Sequence, residues 1–246
     1  MKKIITDTIA TIILLIVAHV LMVTIHEFTH SIIAWAYGFK ASPFHLHFAD
    51  FTLFVRDDQT DYQAMIEQNR NVLAAITAIT PNLLNACFYV ICAIFCSSKK
   101  VQNQKYLYYF LFWFMIVNIG QVYSYILWRT FETHGDISIF LEDLNISPYW
   151  VFIPGILFIF YSVYNILKHQ VIRAYRVMKF SHIWSQAIFL FLVLIILFGY
   201  FGGLIYNIIS KKYFYLIYPI LMIILFYLIC FPKNRWVQNR YHQNGE

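Results

Sequence analysis

The sequence predicts an all-α polytopic membrane protein of about six transmembrane helices, with a short β-hairpin-like element between the first and second. Three observations predict it. Of 246 residues, 61% are hydrophobic and only 12% are charged, whereas a soluble domain of this size is about half apolar and a quarter charged. Six apolar stretches are each long enough for the ~20 residues that a ~30 Å hydrocarbon layer requires of a helix. The basic residues behind the net charge of +6 gather between those stretches, at Lys99-Lys100, Arg173 to Lys179 and Lys211-Lys212. That placement suits lipid headgroups and excludes nucleic acid as the natural partner.

The spans fall in order at about 8–37, 72–96, 107–128, 150–167, 183–206 and 213–231. The first begins with a basic start and an apolar core, as a signal peptide does. Its apolar run continues without a small-residue cleavage site, so the expectation is a retained helix. The connection "FKASPFHLHFADFTLFVRDDQTDY" is too polar to span, and its Phe, Thr and Val content with local alternation suits a short hairpin or edge strand. The connection "RTFETHGDISIFLEDLNISP" is acidic and carries one basic residue. With six spans, twelve basic residues lie on the side of the termini and six on the other, which places both termini in the cytoplasm. Cys87, Cys92, Cys96 and Cys230 lack the paired spacing of a zinc knuckle and read as buried thiols. With no tandem repeat or linker, the chain reads as one membrane-embedded domain.

Chemistry concentrates in "HEFTH". His26 and His30 lie four residues apart, so on a helix both rings leave one face. Two imidazoles so placed can ligate one Zn²⁺, and the neighbouring Glu27 can take a proton from bound water and pass it to a leaving amine. An ionisable residue at the middle of a membrane helix costs about 2.5–3.5 kcal/mol on insertion scales, which favours a functional reason for its presence. A catalytic zinc has three protein ligands plus water. Candidates for the third are Asp136 and His134 of "THGD", followed by the His45/His47 pair of "FHLHF". In a six-span topology Asp136 shares a membrane side with the C-terminal half of the first span.

These features resemble the site-2 protease family of intramembrane zinc metalloproteases. The resemblance rests on "HEFTH" within a membrane helix followed by "SIIAWAYGFK", on "AITPNLLNA" around Pro81, and on an aspartate beyond a later span. It covers residues 20 to about 140, giving a metalloprotease core over about 8–140 with additional helices over 150–231. It implies His26 and His30 as zinc ligands, Glu27 as catalytic base, an aspartate (here Asp136) as third ligand, and single-span membrane segments as substrates. The chain departs from the family pattern in four places, one of them the absence of the family's upstream Asn-x-x-Pro pattern. Thr80 replaces the glycine before Pro81, the asparagines fall at Asn82 and Asn85, and Gly135 precedes Asp136 instead of following it. Asn118 is the candidate stand-in for a further family asparagine. Two other readings share the motif: a membrane zinc hydrolase with a non-protein or lipidated substrate, and a non-catalytic pseudoprotease. A metal transporter is disfavoured, because the last three spans are nearly free of ionisable residues.

Overall fold

A computed structural model describes residues 2–48, 55–209 and 211–243. Helix α1 runs Lys2–Ala36 as one uninterrupted segment. Strands β1 (His47–Phe48) and β2 (Val55–Asp57) follow and pair antiparallel, His47 opposite Asp57 and Phe48 opposite Val55. The hairpin-like element expected here includes residues 49–54, which lie outside the described residues. Next come α2 (Tyr62–Glu67), α3 (Asn71–Ser97), α4 (Lys99–Gln102) and α5 (Lys105–Ser124). The last continues as a π-helical stretch over Tyr125–Arg129. Helix α6 is Asp136–Leu144. Helix α7 (Tyr149–Asn165) passes through a second π-helical stretch, Ile166–Gln170, into α8 (Val171–Val177). The remainder is α9 (Ile183–Leu194) with a π-helical extension over Ile195–Tyr200, α10 (Leu204–Ile209), α11 (Ile217–Ile229) and α12 (Arg235–Gln243).

Among the described residues, five helical segments are long and apolar enough to cross a membrane: Thr6–Ala36, Asn71–Ser97, Lys105–Arg129, Tyr149–Val177 and Ile183–Tyr200. This is the architecture of a multi-pass membrane protein. The expected sixth span corresponds to a shorter apolar helix, Tyr213–Ile229. Apolar side chains face outward along these segments, among them Ile12, Ile13 and Ile16 of α1 and Ile94 and Phe95 of α3, which suits a lipid environment rather than water.

The chain divides into two compact units, Met1–Phe88 with Tyr125–Ile156, and Tyr89–Ser124 with Leu157–Glu246. In the first, Ala34, Met65, Leu73 and Ala74 form one buried cluster. Tyr125, Ile137 and Leu141 form another, with Ile79 and Val151 packed against it. The second unit is built on aromatic packing, with Phe189 against Tyr109, Phe112, Trp113 and Tyr175 at ring separations of 5.3–6.1 Å. Such edge and offset contacts add to the area these rings bury.

Candidate metal centre

All the residues of the candidate site lie in the first unit. His26 and His30 leave the same face of α1, with ring centroids 5.1 Å apart, as their one-turn spacing requires. Both are buried, at 1% and 2% exposure.

The orientation of His30 follows from a proline. Pro81 stands inside α3 and has no N–H, so the carbonyl one turn back, that of Thr77, loses its usual helical partner. A buried carbonyl left in that state needs a donor from elsewhere. His30 supplies it: Nδ1 lies 2.8 Å from the Thr77 oxygen. The donated proton fixes the ring as the Nδ1–H form and leaves the lone pair of Nε2 pointing the other way. The Tyr62 hydroxyl, 3.0 Å from the same nitrogen, sits beside this bond.

His26 is held by the next turn of α3. Its Nδ1 lies 3.0 Å from the Asn85 amide, and the Asn85 side-chain oxygen is buried without a partner. Turning the amide so that its oxygen faces the ring satisfies that oxygen and makes His26 the donor. His26 then also carries its proton on Nδ1 and presents a bare Nε2. Ligating imidazoles are commonly held in this way, with the second nitrogen donating to a carbonyl or amide.

Asp136 completes the cluster from a different element. Gly135 precedes it at φ +95° and ψ 176°, a region almost restricted to glycine. This turn starts α6 with Asp136 as its first residue, where the helix dipole favours a negative charge. Its Oδ2 is 3.2 Å from His26 Nε2 and 3.4 Å from His30 Nε2. The Asn82 amide donates to the same oxygen at 3.1 Å. Burial by itself raises the pKa of Asp136, but when His26 and His30 are protonated on Nε2 as well, as they can be without a metal, their hydrogen bonds and charges outweigh it and hold the carboxyl well below the usual carboxylate range.

These donors fit a metal. With both rings protonated on Nδ1, two nitrogen lone pairs and a carboxylate oxygen converge on one another. Three acceptors this close repel unless a cation lies among them. In a tetrahedral zinc site, bonds of about 2.0–2.1 Å place neighbouring ligand atoms about 3.3–3.4 Å apart. The two His–Asp separations match that spacing, and the three ligand atoms all lie within 4.8 Å of one another. Two imidazoles and one carboxylate are a donor set suited to Zn²⁺, with a position left for water.

Three further side chains border the cluster. Tyr125 opens the first π-helical stretch, a distortion frequent at functional sites, and its hydroxyl is 3.4 Å from His26 Nε2. One turn on, the Arg129 guanidinium stacks over the Tyr125 ring, 4.5 Å from its centroid. Close packing holds this stretch in place, since a Cβ added at Gly155 would lie 2.6 Å from Ile126. Tyr62 has its phenol pushed well above its usual range, first by burial and then by the charges of Asp58, Asp136 and Glu27. Glu27 is half-buried beside His26 and close enough for its charge to act on Tyr62.

The structure therefore brings His26, His30 and Asp136 together and sets Glu27 beside them. It turns the other candidates elsewhere. His134 is 78% exposed and lies 3.4 Å from Glu132. His45 and His47 are both exposed. Asn118 donates to the Phe114 carbonyl of its own helix at 2.7 Å. Sequence reasoning missed Thr77, Tyr62, Tyr125 and Arg129. For Thr77 a signal was present, the proline four residues downstream. No family model, curated protein or solved structure matches this chain, so its side-chain chemistry alone carries the functional reading.

Proposed function

We propose that the protein is a zinc-dependent intramembrane metalloendopeptidase that hydrolyses peptide bonds in or near transmembrane segments of membrane proteins. One observation carries the reading: two imidazole nitrogens and a carboxylate oxygen converge from different elements, with each imidazole aimed from behind by a hydrogen bond to α3. The HEFTH spacing and its resemblance to the site-2 proteases agree with it.

His26, His30 and Asp136 would hold Zn²⁺, which when bound lowers the pKa of a coordinated water to about 7 and polarises a carbonyl. Glu27 takes the proton of the attacking water and delivers it to the leaving amine. Tyr125, with Arg129 stacked on it, places a hydroxyl beside the cluster where negative charge develops on the carbonyl oxygen. A helical substrate must unwind to expose its peptide bond, and the β1–β2 pair offers an edge on which an unwound segment can add a strand. Tyr213–Ile229, at the short end of the spanning range, serves as the sixth crossing. Both termini then face the cytoplasm, the side richer in Lys and Arg.

The test uses purified full-length protein reconstituted with a single-span substrate that carries a Gly-Pro kink in its membrane segment, with products read by mass spectrometry. Stoichiometric zinc and cleavage within or beside the span are expected, with both lost in His26→Ala and Asp136→Ala. Protein free of stoichiometric metal, or Asp136→Ala with full activity, would overturn the assignment.

A further inference from the structure

Helix α3 backs each of the three candidate ligands with residues of one face. At about 100° per residue, Thr77, Asn85 and Asn82 fall within about 140° of arc. The Thr77 carbonyl meets His30 and the Asn85 amide meets His26, each at the ring nitrogen that points away from the cluster. Asn82 behaves differently. Its Nδ2 donates at 3.1 Å to Asp136 Oδ2, the same atom that lies 3.2 and 3.4 Å from the two Nε2 atoms. Asn82 therefore touches the ligand atom itself.

The direction of this amide is fixed. An ionised carboxylate only accepts hydrogen bonds, so the NH₂ group must face Asp136, and the amide cannot turn over as that of Asn85 can. Asn82 is 7% exposed, and its own Oδ1 is buried without a hydrogen-bond partner among the described residues. Buried acceptors are seldom left in that state. The bond to Asp136 holds the amide in this orientation despite the free energy that the stranded oxygen costs.

Asp136 needs such a bond because its own torsion does not choose between its two oxygens. Gly135 and the start of α6 set its backbone, but rotation of a carboxylate about χ2 is broad and two-fold. Ligation through one oxygen leaves the fourth position of a catalytic site to water, whereas ligation through both crowds it. Oδ2 has lone pairs enough for the Asn82 N–H and for a metal. Turning the carboxylate until both oxygens face the cluster equally would break the bond to Asn82. We propose, resting on the zinc reading above, that Asn82 is a positioning residue. Its amide holds Asp136 to ligation through Oδ2 alone and so keeps a coordination position open for water.

Cobalt(II) titrated into the metal-free, full-length protein tests this, because its visible bands are strong with four ligands and weaker with five. The wild-type protein should bind one cobalt with four-coordinate bands. Asn82→Leu and the smaller Asn82→Ala both remove the donor. Each should still bind one cobalt, but with the weaker five-coordinate bands. At saturating cobalt their cleavage of the single-span substrate should be about 10–100-fold slower. Asn85→Leu, which loosens His26 rather than Asp136, should need more cobalt yet keep the four-coordinate bands. Four-coordinate bands in both Asn82 variants would overturn the role of Asn82 and leave the metal centre standing, as would five-coordinate bands in the wild-type protein. Loss of cobalt from both Asn82 variants would overturn it too, since Asn82 would then retain Asp136 in the site rather than set how it ligates. A wild-type protein that binds no cobalt would overturn the metal-centre reading itself.

Discussion

Glu27 and Tyr125 are expected to affect turnover, whereas Asn85 is expected to affect metal affinity. Glu27→Gln keeps shape and removes the base, so cleavage should fall at least about 10²–10⁴-fold with zinc content unchanged, read by single-turnover kinetics beside elemental analysis. Tyr125→Phe removes one hydroxyl at the developing charge and should lower kcat by about 10²-fold with unaltered metal affinity. Asn85→Leu leaves His26 without its backing bond, and zinc affinity should drop about 10–100-fold, measured by competition with a chelating dye. Acid should release the metal through the imidazoles. Asp136 is held ionised well below the usual carboxylate range, so the stability it contributes is present above the ordinary carboxyl pKa and is lost only as pH falls through its lower folded value. Two rings that must both be neutral let log affinity fall by up to about two per pH unit. Asp136→Asn should therefore bind zinc more weakly with the same slope between pH 7 and 5.

Helix α3 shows what a sequence can and cannot disclose. The pair His26 and His30 was legible because one helix supplies both, and a spacing of four fixes their shared face. Asp136 was legible only as a candidate, because its approach depends on the turn at Gly135 rather than on any periodicity. Tyr62 and Tyr125 were not legible, since residue type singles out no two of nineteen tyrosines. The role of Pro81 was readable in principle, because a proline within a helix always strands the carbonyl one turn before it. It leads to a prediction with opposite signs. Pro81→Ala restores an interior helical bond and should make the metal-free protein about 1–2 kcal/mol more stable. The restored N–H competes with His30 for the Thr77 oxygen, so zinc affinity should fall about tenfold. Thermal unfolding without metal and zinc titration read the two effects separately, and a stabilised variant with unchanged affinity would sever the link between proline and ligand.

Across the whole molecule, hydropathy disclosed the membrane class and five of the segments, while the apolar run after Tyr213 proved shorter as a helix. The span count is the weaker reading because length in residues does not say where a helix starts and stops. Acidic residues are confined almost entirely to one unit, with eleven of the twelve in the one that contains the candidate metal centre. Within that unit, the third donor stands on a helix of nine residues outside the spanning segments. Ile137 and Leu141 dock that helix against Tyr125, a grip worth about 3–6 kcal/mol for two buried aliphatic side chains. A bulky polypeptide reaching the cluster can lever the short helix outward, and doing so carries Asp136 with it. Admission of substrate and retention of the ion are then thermodynamically linked. The protein would behave as a latch whose bolt is one of its own ligands: chelation should expose the 130–148 segment to added protease, and zinc should seal it.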